Sequence, residues 1–300
     1  MLSDIAFYGA LETGLLYGLV AFGIYLSFRV LDFPDLTVDG SFPLGAAIAA
    51  VLIMEGIDPW LATGCAILGG MAAGSVTALL NVKLKILHLL ASILTMTALY
   101  SINLRIMGRP NIALLGEETV LSPWYDLGLP FHLAPVALFS VVILVVFGLM
   151  FQFMRSETGL AMRATGANPR MARGNGIATG GLVVLGVALS NGLVGLAGAL
   201  FAQSQGAADV TMGVGIIVVG LASLIGGEAV ITPLTVARAL LACIVGAILY
   251  RLAIALALNA DFIGLESQDL NLVTAVLVTL AIVLPGFRTT LRSFRPRRNS

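Results

Sequence analysis

Long apolar runs recur along the whole chain, and they restrict its fold more than any other feature of the sequence. A helix needs about 20 consecutive apolar residues to cross the hydrocarbon core of a bilayer. Runs of roughly this size lie near residues 5–29, 36–54, 60–80, 86–106, 132–154, 178–203, 211–227, 233–257 and 270–287. We therefore predict an all-α fold, a polytopic transmembrane helical bundle of about nine spans within a range of eight to ten.

The composition supports a membrane protein. Charged residues make up 11% of the 300-residue chain and hydrophobic residues 59%, whereas a soluble domain carries about 25% charged residues. Most of the outer surface must therefore face membrane lipid, and a net charge of +0 argues against a nucleic-acid partner. The first apolar run has no basic residue before it and is too long for the h-region of a signal peptide, so we expect a retained membrane helix.

Two of the runs, 36–54 and 211–227, are short and rich in glycine, so we expect short, broken or re-entrant helices there. They begin on similar residues, Asp35-Leu-Thr-Val and Asp209-Val-Thr-Met. The two runs are an odd number of spans apart, so related halves would be inverted in the membrane, as in many transporters. The alternative is a chance similarity of apolar sequence.

Basic residues predict the orientation, because loops on the cytoplasmic side carry an excess of Lys and Arg. We predict one transmembrane domain over 1–300, with a first half at about 1–155, a cytoplasmic segment at 156–177, a second half at about 178–287 and a basic cytoplasmic tail at 288–300. The cytoplasmic basic residues are then Arg29, Lys83, Lys85, Arg155, Arg163, Arg170, Arg173, Arg288, Arg292, Arg295, Arg297 and Arg298. The alternation of spans then places the N-terminus on the outer side of the membrane.

The polar segment 156–177 has the signature of a short capped helix. Asn168 can cap it, Pro169 suits its first position, and Gly174 or Gly176 can end it. Such a helix on the cytoplasmic face suits insertion into a groove of a soluble partner. The alternative is an ordinary cytoplasmic loop whose arginines only set the orientation.

This segment resembles the cytoplasmic coupling segment of bacterial ABC importer permeases of the branched-chain amino acid, ribose and autoinducer-2 group. That group shows a Gly, then Arg-Ala-x-Gly-x-Asn-Pro, then Ala, then Gly-Ile. The matching residues here are Gly159, Arg163, Ala164, Gly166, Asn168, Pro169, Ala172, Gly176 and Ile177. Three more segments are similar to the group: Asp35-Leu-Thr-Val-Asp-Gly-Ser, Ile93-Leu-Thr-Met-Thr-Ala-Leu and the stretch 188–200. The chain most resembles the branch linked to amino acids.

The resemblance implies that transport is shared between several subunits with different roles. Two permease copies, as a homodimer, would form the pathway in the bacterial cytoplasmic (inner) membrane, and ATP-binding ABC subunits would dock through the coupling helix. A periplasmic or lipid-anchored binding protein would deliver the solute. The segment residues that would couple to the ATPase are Gly159, Arg163, Gly166, Asn168, Pro169, Arg170, Arg173 and Gly176. The chain shows no phosphate-binding loop, so we expect no cofactor of its own and ATP bound by a partner.

Polar residues inside apolar runs are candidates for the pathway, because ionisable groups there usually face the bundle interior or a wet cavity. The candidates are Asp35, Thr37, Asp39, Ser41, Thr95, Thr97, Asn103 and Asp209. Alternatively, Asp35 and Asp39 cap the N-terminus of their own span, and the threonines bond to their own helix.

No catalytic or metal site is expected. Neither His88 nor His132 has a partner at metal-ligand spacing, and we interpret Cys65 and Cys243 as small core residues. No nucleophile lies beside a base. The resemblance implies a non-catalytic subunit of an ATP-driven importer, and we expect an amino acid as its solute because the pathway is mostly apolar with few fixed charges. The alternatives are an ion-coupled secondary transporter that uses the buried acids, or the same importer with a sugar or nucleoside as its solute.

Overall fold

The computed structural model describes residues 4–126, 128, 130–258, 276 and 279, and it is almost entirely helical within them. Apart from Val276 and Thr279, the predicted last span at 270–287 and the basic tail at 288–300 lie outside the described residues. The elements are α1 (Asp4–Ile24) with a π-helical continuation (Tyr25–Val30), α2 (Val38–Met54), α3 (Pro59–Val82), α4 (His88–Met107), β1 (Asn111–Ala113), α5 (Ser122–Asp126), α6 (Ala134–Arg155), α7 (Glu157–Ala167), α8 (Pro169–Gly174), α9 (Thr179–Gln205), β2 (Ala207–Asp209), α10 (Ile216–Val230) and α11 (Val236–Leu258).

Within the described residues, six helices are long and apolar enough to cross a membrane: α1 with its continuation, α3, α4, α6, α9 and α11. The apolar helices α2 and α10 have 17 and 15 residues. At about 1.5 Å per residue they measure about 25 and 22 Å, less than the roughly 30 Å of a bilayer core. These two are the runs predicted to be short, and a non-helical segment precedes each. The predicted count of nine spans includes the run 270–287, which lies almost entirely outside the described residues.

A two-stranded antiparallel ribbon departs from the all-α prediction. Asn111 of β1 pairs with Asp209 of β2, and Ala113 pairs with Ala207. The strands have three residues each, too few for an alternating pattern to stand out in the sequence. The ribbon ties the loop after α4 to the segment that leads into α10.

Long-range contacts show which segments share an end of the bundle. Arg29, in the π-helical turn, forms an ion pair with Glu228 near the end of α10, and α7 packs against the same turn. At the opposite end, Ser204 of α9 donates a hydrogen bond to Glu12 of α1. Arg29 therefore lies at the end of the bundle that carries the polar segment 156–177, as the distribution of basic residues predicts.

Helix α9 lies at the centre of the fold and approaches its neighbours backbone to backbone. A Cβ added to Gly45 of α2 would meet the carbonyl of Gly195, and one added to Gly70 of α3 would meet the carbonyl of Asn191. Small residues allow this close approach, which packs helices tightly where lipid offers no hydrophobic drive for association. Helices α2 and α3 are thereby both held against α9.

Substituting Gly198 with Ala should destabilise the protein by about 2–3 kcal/mol, because the new methyl group would overlap the carbonyl of Phe42 and push α2 from α9. Unfolding of the purified chain in detergent measures the change. Gly148→Ala in α6 is the control, since nothing lies within 4 Å of that Cβ. An equal loss in both variants would contradict the packing argument.

The two cysteines differ in their exposure. Cys243 is buried, as predicted, but Cys65 is exposed on α3. The prediction for Cys65 is wrong because an apolar run identifies a span without showing which of its sides faces neighbouring helices. Lipid accepts apolar side chains as readily as a core does, and large ones such as Leu68, Leu144 and Leu149 cover the outer surface.

Candidate functional site

The extended segment before α2 is held by a buried polar network centred on Asp35. The Asp35 carboxylate accepts hydrogen bonds from the Thr37 backbone N–H at 2.9 Å and from the Asn191 side-chain amide at 2.6 Å. The Ser41 hydroxyl donates to Asn191 Oδ1 at 2.7 Å, and the hydroxyls of Thr37 and Thr77 lie 2.7 Å apart. Asp35, Thr37 and Ser41, all predicted to line the pathway, thus use these groups to fix the segment against α9 and α3.

Asp39 connects the two short helices. It lies in the first turn of α2, and its carboxylate accepts hydrogen bonds from the backbone N–H groups of Ile217 at 2.8 Å and Gly215 at 3.3 Å. These groups belong to the N-terminus of α10, where a carboxylate is favoured by unpaired donors and the helix dipole. The sequence analysis offered the alternative that Asp39 caps its own span, and this is wrong. Asp39 caps α10, which belongs to the second half of the chain. The N-termini of α2 and α10 therefore meet.

Asp209 repeats the local geometry of Asp35 in the second half. Its Oδ1 accepts hydrogen bonds from the backbone N–H of Thr211 at 2.7 Å and from the Thr211 hydroxyl at 2.5 Å. The similar residues at the start of the two short runs thus form the same turn. Asp35 is buried, however, whereas Asp209 is partly exposed, and the hydrogen bonds from Thr211 hold the pKa of Asp209 below its usual value.

A cavity of about 130 Å³ lies beside the meeting point of the two short helices. Asp39 and Asn103 line it, together with Met96, Tyr100, Thr211 and Val214. Asn103 is fully buried and donates through Nδ2 to the carbonyl of Gly40 at 3.2 Å, while its Oδ1 has no hydrogen-bond partner among the described residues. Of the predicted pathway residues, the structure brings Asp39 and Asn103 together here.

The predicted threonines of α4 lie elsewhere. Thr95 donates to the carbonyl of Ala91 at 3.0 Å, and Thr97 donates to that of Ile93 at 2.8 Å. Thr95 lines a separate, apolar cavity of about 390 Å³ between α2, α3 and α4. The alternative interpretation, in which these hydroxyls bond to their own helix, describes both of them.

The polar segment forms the short helix that its sequence predicts. Asn168 caps α8 by accepting a hydrogen bond from the Met171 N–H at 3.0 Å, and Pro169 is the first helical residue. The helix ends at Gly174, and Gly176 follows with a φ of +81°, a left-handed conformation that glycine adopts without strain. Helix α7 precedes it and begins at the N-cap Ser156.

The coupling candidates divide between two surfaces. Arg170 and Arg173 are exposed on α8, and Met171 between them is 67% exposed, whereas Ala172 is buried. Gly159 and Gly166 are packed against backbone within the membrane domain, Gly166 against the carbonyl of Val30. Helix α8 therefore presents a free basic and apolar face, and α7 attaches it to the end of the first helix.

Arg163 does not share the exposed face of α8. It lines a polar cavity of about 320 Å³ with Arg29, Glu228 and Tyr25, at the ion pair between the first helix and α10. Helix α7 contacts the π-helical turn of the first half and α9 of the second, so the segment 156–177 touches both halves of the bundle at this end of the protein.

Sequence reasoning missed Asn191 and the partner of Arg29. Asn191 is buried in α9 and bonds to both Asp35 and Ser41. A polar side chain within an apolar span is the signal that could have indicated it, because such groups require partners there. Glu228 lies almost 200 positions from Arg29, so no local pattern could have paired them.

Comparisons with known proteins identify relatives over nearly the whole chain. The family described as branched-chain amino acid transport system, permease component, matches residues 7–284. A tyrosine transport system permease protein of Clostridioides difficile is 36% identical over 278 residues, covering 93% of this chain and 90% of the relative. An uncharacterised protein of Rickettsia prowazekii is 34% identical over 277 residues, covering 91% and 95%.

More distant similarity reaches the ribose import permease protein RbsC of Escherichia coli K12. It is 24% identical over 260 residues, covering 83% of this chain and 76% of the relative. No solved structure matches the chain significantly.

Proposed function

The chain belongs to the family of branched-chain amino acid transport system permease components, and we propose that it forms the membrane pathway of an ATP-driven importer for an amino acid. Family membership makes it a multi-pass inner-membrane permease, a non-catalytic subunit that works with ATP-binding subunits and a substrate-binding protein. The amino acid is proposed because the C. difficile relative, 36% identical, is named a tyrosine transport permease.

The free face of α8 is the observation that carries the ATPase-docking role. The helix is capped by its own sequence, and its Arg170, Met171 and Arg173 side chains are exposed. An exposed helix of this kind fits a groove on a soluble subunit. Because α7 packs on the π-helical turn of the first helix, a motion of the docked subunit would pass into the membrane domain.

The pathway is proposed to run where two inverted halves meet. Helix α9 packs on α3 as α1 packs on α11, and α10 contacts α11 as α2 contacts α3. These pairings correspond if α1, α2 and α3 are matched with α9, α10 and α11. With 270–287 as a further span, the bundle would contain the nine predicted spans, and two copies of the chain would complete the importer.

Co-purification tests this proposal. The tagged chain, expressed with the ATP-binding subunit and binding protein of its gene neighbourhood, should retain the ATP-binding subunit and support ATP-dependent uptake of labelled L-tyrosine in proteoliposomes. Uptake driven by a proton or sodium gradient without ATP would contradict the importer. ATP-dependent uptake of D-ribose but not of L-tyrosine would replace the amino acid with a sugar, for which the similarity to RbsC is the supporting observation.

A further inference from the structure

We propose that the cavity between α2, α4 and the segment that precedes α10 binds the protonated amine of the transported solute. The inference rests on the proposed function, because it places one end of an amino acid within the pathway. The three segments that line the cavity come from both halves of the chain, at the point where the two short helices meet.

The first argument is the free oxygen of Asn103. The side chain has no exposed surface, and its Nδ2 already donates to the carbonyl of Gly40. Oδ1 accepts nothing from the described residues, and a buried acceptor without a partner is destabilising. Asn103 lines the cavity, so a donor group held there is the candidate partner for this oxygen.

The second argument is that the neighbouring oxygens are also acceptors. The Thr211 hydroxyl has one proton, which it donates to Asp209 at 2.5 Å, so its oxygen can only accept from a ligand. The Asp39 carboxylate accepts from two N–H groups of α10 and has lone pairs left for further donors. An ammonium group offers three donors and a positive charge, which match this set.

The same oxygens disfavour an anion. The backbone N–H groups of Gly215 and Ile217, which could otherwise hold a carboxylate at the N-terminus of α10, are bonded to Asp39. Asp39 also adds a negative charge that repels a second carboxylate. The cavity therefore distinguishes the amino end of a zwitterion from its carboxyl end.

The size of the cavity limits what it holds. Its 130 Å³ equals about four times the roughly 30 Å³ that a water molecule occupies in the liquid. It fits an ammonium group and a few attached carbons, which would contact Met96 and Val214 on the apolar wall. A small metal ion is the competing ligand, but no group of three or more His, Cys, Asp or Glu side chains is arranged for one in the described part of the chain.

A cysteine reporter tests the subsite in the full chain. Val214 lines the cavity, is 80% exposed and supplies none of the acceptor oxygens, so Val214→Cys is made in a Cys65→Ser background that retains the buried Cys243. In nanodiscs, a cationic methanethiosulfonate should modify it at least about tenfold faster than an anionic one of similar size, because a negative site concentrates cations. Tyramine should slow the reaction, and 3-(4-hydroxyphenyl)propionate, which lacks the amine, should not.

Asp39→Asn should remove both the charge preference and the protection by tyramine. Asparagine can still cap α10 through its remaining oxygen. The matched control is Asp58→Asn, which alters a carboxylate that caps α3 outside the cavity and should change neither result. Charge preference and protection that persist in Asp39→Asn would overturn the proposal.

Asn103→Leu provides a second variant that does not touch the charge. It removes the unsatisfied oxygen, so thermal stability should be retained while tyramine protection falls. Protection by Na⁺ in place of tyramine would overturn the amine assignment.

The subsite and the proposed function can fail separately. Normal L-tyrosine uptake by both Asp39→Asn and Asn103→Leu importers would reject the subsite and leave the importer assignment intact. Tyramine protection in a chain whose importer does not take up L-tyrosine would support the subsite and reject tyrosine as the solute.

Discussion

Replacing residues 168–173 with a Gly/Ser linker of equal length is expected to reduce ATP-driven uptake to the level measured without ATP. The substitution removes the Asn168 cap and the exposed side chains Arg170, Met171 and Arg173, which form the proposed docking face. Glycine in place of helix-forming residues also prevents the short helix from forming. Co-purification of the ATP-binding subunit and uptake by proteoliposomes measure the two consequences.

The membrane fold should survive this change, because within α8 the structure buries Ala172 and leaves the other side chains at the surface. Unfolding of the purified variant should therefore match that of the unmodified chain. As a control for the loss of positive charge alone, Arg170→Gln with Arg173→Gln keeps the helix. Normal transport by the linker variant would reject α8 as the coupling element.

Substituting Asn191 with Leu should destabilise the protein by about 3 kcal/mol, since it removes the Asn191 donor from the buried Asp35 carboxylate and leaves Ser41 without its acceptor. Leucine is similar to asparagine in shape, so packing against α3 is little altered. Chemical unfolding of the purified chain in detergent measures the change.

The double variant Asp35→Leu with Asn191→Leu isolates the interaction. Removing both partners of a buried polar contact costs less than removing one, so the double variant should be more stable than the sum of the single changes predicts. Strict additivity would show that Asp35 and Asn191 do not depend on each other, and would contradict the role given to this network.

Features that depend on a few adjacent residues were predictable. The cap of α8 is an example, because Asn168 and Pro169 act on a helix that starts beside them. The turn shared by Asp35 and Asp209 is another, since each carboxylate bonds to a residue two positions on. In both cases the donor and the acceptor are brought together by the local backbone, so the sequence order suffices.

The partners of the predicted pathway residues were not predictable. Asp39 caps α10 across a separation of 178 residues, and Asn191 reaches Asp35 across 156. Asp35 and Asp39 are four positions apart in sequence, yet one is buried in a network and the other lines a cavity. Sequence reasoning placed them in one group, because their apolar surroundings are alike.

The sequence by itself determined that this chain is a polytopic membrane protein, where its apolar helices lie, and that a capped helix interrupts them at one end. Hydropathy decides the spans, because each must satisfy its own backbone hydrogen bonds and remain apolar towards lipid. The capped helix follows from Asn168 and Pro169 at its start. Only the tertiary structure decided which polar groups are already satisfied and which are free. A polar side chain without a hydrogen-bond partner is destabilising inside a membrane, so the sequence predicts that it has a partner. Which residue that partner is depends on the distant helix that packs beside it.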